Sequence, residues 1–302
     1  IQHYVSAGEE FPIMGVTPDA AYPLINGEKG SYSATYGFQL KEDEPCRLVE
    51  FHAGTVMNVV PDYACGVLSL PQESCDFALK LDIENVKISP TEGGIKVEAF
   101  GRPAHAGNPG VGLNAIGLFY LALAQIPLQG ELARLVEGMN KHFGIMVDGS
   151  GLGIATEDEV SGKLTVNVAL GDLRDHVVTF TVNVRYPVTL TLESFQETLT
   201  NTMTQSGFTE KILAHKPPLY LPLESELVQK LCAVYQAQTS ESAKPFCIGG
   251  ATYAKELPNV VAFGPIFPGD ESRIHRADEY IGLDSLLRHA QMNAAAMVEL
   301  AR

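Results

Sequence analysis

A histidine in a loop of charged side chains is the first place to look for chemistry. His275 stands in PGDESRIHRADEYIG, with Asp270, Glu271, Asp278 and Glu279 nearby and the tight turn Pro268-Gly269-Asp270 ahead of it. The pair Gly249-Gly250 lies upstream in CIGGATYA. Such a histidine beside glycine-rich turns suits a metal ion or a substrate; a solvated loop of scattered charges is the plainer account. Asp19 sits in TPDAAYP, where the flanking prolines fix the direction of its carboxylate, as metal ligation requires. An Asx-turn or a helix cap explains it equally well. His105, in GRPAHAGNP, has small neighbours that leave its imidazole uncovered, so it can donate to a substrate oxygen. Capping or packing at a helix start is the alternative. Arg185, in VNVRYP, can hold a carboxylate through two parallel bonds or make a surface salt bridge. Asn58 is polar among apolar neighbours in MNVVPD, and a turn residue or a buried backbone partner fits it as well.

What is absent matters too. A hydrolytic metal site needs about four ligands per metal and a base, and the sequence supplies only some of them. There is no G-x-S-x-G, P-loop or G-x-G-x-x-G. Cys247 adjoins the glycine pair, but nothing in the sequence places a histidine beside it, so a cysteine nucleophile is not supported.

The elements that must position these residues follow from periodicity. Alternation at period two predicts strands in SYSATYGFQL, RLVEFHAGTV, FALKLDIENVKISP and GIKVEAFG, with Glu92-Gly93-Gly94 as a hairpin turn. Helices are predicted over 111–126, 132–143, 192–207 and 226–240, and from Asp284, as N-cap, to Ala301. Strands return over 163–187, in KILAHKPPLYLP and in VVAFGP. The middle region reads strands, helix, strands, helix, an αβ-sandwich unit that occurs twice, near 80–126 and 163–207. Residues 1–28 and 219–302 then form a second domain into which 29–218 is inserted, with hinges near Gly27–Gly30 and Pro217–Pro222.

Composition narrows the class. The chain has 302 residues, 45% apolar and 19% charged, as in an ordered globular protein. A net charge of −15 disfavours nucleic acid or anionic membranes as partners. The five cysteines are odd in number and form no C-x-x-C, so neither a disulfide framework nor a zinc knuckle is indicated. A reducing compartment, the cytoplasm, is expected. No apolar run reaches the roughly 18 residues of a membrane span.

TPDAAYPLINGEKG, MNVVPDYA, GRPAHAGNPGVGLNA, VNVRYP, IGGATYA and FPGDESRIHRADEYIGLD resemble, in this order, the blocks of the M20 metallopeptidases. Within that family they are closest to the PepV/Sapep-type, carnosinase-like dipeptidases. The resemblance implies a zinc-aminopeptidase-like α/β catalytic domain, here partial, carrying an inserted lid of two similar αβ-sandwich units. It implies Asp19 and His275 as metal ligands and His105 as the lid residue that stabilises the oxyanion. Asn58 and Arg185 are implied to hold a dipeptide substrate, with Gly249, Gly250 and Thr252 lining the pocket. Two divalent cations, zinc or manganese, are implied as cofactors, and a monomer, because the doubled lid mimics a dimer contact.

One departure stands out. The family's N-terminal blocks, with a metal-binding His, a bridging Asp, the base Glu and its neighbouring Glu, are not found. The expectation is an incomplete and inactive piece of a dipeptidase. The alternatives are a non-catalytic peptide-binding protein on a degenerate M20 scaffold, or an M20 N-acyl amino acid deacylase.

Overall fold

The structure, a computed structural model, describes residues 1–274 and 278–302. In chain order it begins with α1 (Gln2–Ser6), β1 (Gly15–Thr17), β2 (Ala20–Ala21) and β3 (Ile25–Glu28). Then come β4 (Gly30–Gln39), β5 (Arg47–Ala53), β6 (Tyr63–Ser69), α2 (Gln72–Ala78), β7 (Val86–Thr91), β8 (Gly94–Phe100), α3 (Ala115–Leu123) and α4 (Gly130–His142). After the short β9 (Glu157–Asp158) and β10 (Gly162–Lys163) follow β11 (Thr165–Arg174), β12 (Val177–Tyr186), α5 (Glu193–Gln205) and β13 (Thr209–Lys216). The chain ends with β14 (Leu219–Tyr220), α6 (Glu226–Thr239), β15 (Phe246–Ile248), β16 (Val260–Ala262), β17 (Pro265–Ile266) and α7 (Leu283–Leu300). The fold is α/β, and its contacts divide it into two units. One holds Ile1–Gly30, Asp158–Ser161 and Pro217–Arg302; the other holds Ser31–Glu157 and Gly162–Lys216.

The second unit is built on an eight-stranded sheet in the order β13-β4-β12-β11-β5-β6-β8-β7. Alternation decides its faces. Val166, Val168, Val182, Val184 and Tyr186 of β11 and β12 turn into a core shared with Ile116, Phe119 and Tyr120 of α3, Leu135 and Met139 of α4, and Phe195 and Leu199 of α5. Their strand neighbours Asn167, Asn183 and Arg185 point the other way, yet they too are buried. The sheet has two four-stranded halves that meet where β11 pairs β5, at Gly171↔Ala53 and Asp172↔His52. Beyond that join β5 turns away at Gly54, whose φ is +69° and where a Cβ would sit 2.0 Å from the Ala169 carbonyl oxygen. The segment after it carries Asn58.

At one edge of the sheet β13 pairs β4, with Glu210 opposite Tyr36. The hydroxyls of Tyr32 and Tyr36 donate to Glu210 Oε1 at 2.8 and 2.6 Å, and that of Thr200 on α5 donates to Oε2 at 2.7 Å. Burial, then the carboxylate, pushes both tyrosines above the ordinary phenol range.

In the first unit the sheet order is β1-β16-β3-β14, with β15 also paired to β3. Val261 of β16 and the strand-flanking Tyr22, Leu24 and Phe263 pack with Leu227, Leu231 and Tyr235 of α6 and with Met292 and Ala296 of α7. Gly27 in β3 is required by close approach, since a Cβ there would lie 2.3 Å from Cys247 Sγ.

Two expectations are corrected. Residues 77–90 are not a continuous strand. The short helix α2 occupies Gln72–Ala78, burying Ser74, Cys75 and Ala78, and the strand starts only at Val86, after Asn85 in a left-handed conformation (φ 62°). The alternation in FALKLD is too short to separate strand from helix. The last helix has Gly282, not Asp284, at its N-cap. Asp284 falls in the first turn, where its charge still complements the helix dipole.

Candidate functional site

Asn58 and His105 are brought together through the backbone. The Val60 N–H donates to the Ala104 carbonyl and the Ala106 N–H to the Asn58 carbonyl, each at 2.8 Å, with Val59 and His105 forming an antiparallel bridge between them. The His105 side chain is exposed and that of Asn58 half-buried. His105 Nδ1 accepts the Gly107 N–H at 3.0 Å, and a nitrogen that accepts carries no proton. The proton of the neutral ring is therefore on Nε2, which becomes the donor.

Arg185 is 8% exposed on β12, directly opposite Thr165 of β11. Its Nε donates to Asn183 Oδ1 at 2.9 Å, and Asn183 Nδ2 donates to Ser33 Oγ at 2.8 Å. The guanidinium is thus oriented by its own strand. Asn183 faces Asn167 across the β11–β12 ladder. Asn167, 1% exposed, reaches Val59 and so the Asn58 segment: its Nδ2 donates to the Val59 carbonyl at 3.0 Å.

The candidates in the other unit gather around Glu28, at the end of β3 and fully buried. Its carboxylate accepts the Thr252 N–H at 2.9 Å and the Thr252 hydroxyl at 2.5 Å. Thr252 Oγ1 also accepts the Ala254 N–H at 3.1 Å, so the hydroxyl holds the turn in shape. Gly249 and Gly250 form the half-buried bend between β15 and Thr252. Burial raises the Glu28 pKa above the usual carboxylate range, the Thr252 bonds and Lys255 oppose this, and the exposed Asp19 adds to it. Burial also pushes the Cys247 thiol up to about 11, so it is protonated at neutral pH and a poor nucleophile. His275 lies outside the described residues.

A group whose pKa is raised on folding contributes stability below its unfolded pKa and loses it as pH rises through the folded value. Glu28→Gln can accept the Thr252 N–H and donate to its Oγ1, and it has no charge to desolvate. The expected result is a stability advantage of Glu28→Gln over the parent that grows as pH rises above about 4.3, the ordinary glutamate value. Urea unfolding at several pH values reads it, and a pH-independent difference would contradict it. Glu28→Ala leaves both Thr252 donors without a partner and is expected to cost about 1–3 kcal/mol in the same measurement.

Sequence reasoning missed Asn114, Asn167, Asn183 and Glu28. The signal was there: Val-Asn-Val occurs in both β11 and β12, and a glutamate ends the otherwise uncharged INGE. A cavity of roughly 310 Å³ lined by Lys41, Glu42, Glu44, Arg47 and His176 includes none of the candidates.

A comparison with models of known protein families finds no match. Individual proteins do match. The chain is 34% identical over 313 residues to "Putative dipeptidase YtjP" of Bacillus subtilis (strain 168), covering 100% of this chain and 66% of that protein. It is 31% identical over 308 residues to "Putative dipeptidase SAUSA300_1697" of Staphylococcus aureus (strain USA300), covering 97% of this chain and 65% of the other. Among solved structures, the aminoacylhistidine dipeptidase from Vibrio alginolyticus superposes with a TM-score of 0.50 at 14% identity, over 97% of this chain and 67% of that one, a likeness of fold. The chain belongs to the family of these sequence relatives, the M20 peptidases whose blocks it carries. It spans about two thirds of their length, 66% and 65%.

Proposed function

We propose that the protein is a dipeptidase, hydrolysing the single peptide bond of a dipeptide. The observation that carries this reading is the His105 turn: it is locked to the Asn58 segment, with Nδ1 accepting from Gly107, which puts the proton of the neutral ring on Nε2. Water adds to the scissile carbonyl carbon, the C–N bond breaks, and the leaving amine takes up a proton. As the carbonyl oxygen gains negative charge, His105 Nε2–H donates to it. Arg185 holds the free carboxylate of the substrate, and the Asn58 amide binds its backbone. The M20 resemblance adds Gly249, Gly250 and Thr252 as substrate-binding residues, and within their own unit Thr252 is held by Glu28.

The M20 resemblance implies two divalent cations, zinc or manganese, with Asp19 and His275 as ligands from this chain. Among the described residues no three His, Cys, Asp or Glu side chains come together. Glu28, the carboxylate on which the charge of Asp19 acts, is already engaged by Thr252. The described donors do not make a metal centre, and no step above is routed through one. A cytoplasmic monomer belongs to the same reading, from the M20 resemblance with its doubled lid. All five cysteines are free thiols, and no helix among the described residues is long and apolar enough to cross a membrane.

The test is release of free amino acids by the full-length gene product from a panel of dipeptides, beside their N-acetylated and C-amidated forms and a set of N-acyl amino acids. Cleavage that needs both free termini supports a dipeptidase. Cleavage of N-acyl amino acids alone makes it a deacylase. Binding of dipeptides without turnover makes it a peptide-binding protein.

A further inference from the structure

We infer that Asn167 is a positioning residue that ties the Asn58–His105 pair to the strand holding Arg185; the inference rests on the dipeptidase reading above. Three asparagines carry the argument. Asn114 caps α3, its Oδ1 accepting the N–H groups of Ile116 and Gly117 at 2.9 and 3.2 Å. That fixes which way its amide points. Its Nδ2 must then face β11, where it donates to Asn167 Oδ1 at 3.1 Å and to the Val168 carbonyl at 2.8 Å. Asn167 is fixed in turn: its oxygen faces Asn114, so its NH2 faces the Val59 carbonyl at 3.0 Å. Turning any of these amides over would set donor against donor, so the chain of bonds has one sense.

The place of Asn167 in the sheet explains why such a link is needed. β11 pairs β5 only at Gly171 and Asp172, so its stretch around Asn167 has no strand beside it on that side. The Asn58 segment occupies this place with irregular backbone, and Asn167 supplies the bond that a ladder would otherwise supply. Val59 is flanked by Asn58 and by Val60, whose N–H closes the bond to Ala104, next to His105. On its other side Asn167 stands opposite Asn183, the residue that holds Arg185 Nε. One buried amide therefore sets the spacing between the donor for the carbonyl oxygen and the cation for the carboxylate. A misplacement of about 1 Å costs on the order of 10²-fold in rate.

The experiment uses the full-length gene product and the variants Asn167→Ser and Asn167→Asp. Serine keeps a short hydroxyl; aspartate keeps the shape but turns an oxygen toward the Val59 carbonyl. If Asn167→Asp fails to fold, Asn167→Ser decides. Two readouts are taken. Amide hydrogen exchange is expected to speed up at Val60 and Ala106 by about tenfold or more, with the β11–β12 ladder unchanged. The kcat for dipeptide hydrolysis is expected to fall about 10²-fold with a smaller change in KM. Combined with His105→Ala, Asn167→Ser should add little to the loss that His105→Ala causes alone, because both act through the same group.

Unchanged exchange at Val60 and Ala106 overturns the inference. So does altered exchange with full turnover in a protein that His105→Ala inactivates. If His105→Ala itself leaves turnover intact, the functional reading has failed instead, and the exchange data alone decide whether Asn167 ties the two segments.

Discussion

Replacing His105 by alanine is expected to lower kcat for dipeptide hydrolysis by about 10²–10³-fold, the usual cost of removing one donor to a developing oxyanion. The melting temperature should hardly move, because the side chain is exposed and surface changes of this kind stay within about 0.5 kcal/mol. The two expectations together separate a chemical role from a structural one. His105→Gln sharpens the test. A glutamine carries its amide nitrogen at the distance of imidazole Nε2, so it keeps a donor where the neutral ring has one. It is expected to recover part of the lost rate, whereas His105→Ala recovers none. Steady-state kinetics on the three proteins, with melts in parallel, give the answer. An alanine variant with parental kcat would remove His105 from the chemistry.

The second large effect concerns Arg185. Its guanidinium is fixed through Asn183, and a planar, oriented fork grips a carboxylate in a way that an ammonium cannot. Arg185→Lys is expected to raise KM for dipeptides by about 10–100-fold, the equivalent of one charged hydrogen bond worth roughly 1.5–3 kcal/mol. The loss should depend on the substrate. A C-amidated dipeptide has no carboxylate to hold, so it should bind parent and variant equally poorly. If KM rises equally for both substrates, Arg185 does not contact the carboxylate. Arg185→Lys should also lower stability, since the site is buried and Asn183 Oδ1 loses its donor.

Much of the architecture is legible in the sequence because it is periodic. LESFQETLTNTMTQSG repeats apolar residues at helical spacing, and α5 buries Phe195, Leu199 and Met203 on one side. The long alternation in 163–187 becomes the β11–β12 hairpin, turning at Asp175 and His176, both with positive φ. What fails is what periodicity cannot encode. α2 is a helix of 7 residues whose start has no side-chain cap, too short to set a pattern against the alternation that follows. The candidate site was legible in part. His105 and Asn58 stand out by residue type, but their meeting depends on backbone bonds between segments more than forty residues apart, which no local pattern announces. In the sequence Asn167 and Asn183 are single polar residues within apolar strands. Only the sheet shows that both lie on the face away from the core and within reach of the site residues. His275, the most suggestive residue by composition, lies outside the described residues.

The knot of hydroxyls on Glu210 bears on how this protein behaves at high concentration. A border strand with free N–H and C=O groups is a template on which another chain can grow a sheet, and β13 exposes Ile212 and Leu213 there. To act as a template it would have to lie flat and be free to slide in register. Three donors from β4 and α5, two of them on buried tyrosines, pin it at Glu210, and its pairing with β4 is kinked between Ile212 and Ala214. Lys211 and Lys216 would set like charges side by side in any copy stacked in register. The border is thus stiff, bent and self-repelling. Substitutions that loosen Glu210 should show up first as turbidity on concentration, before any loss of secondary structure.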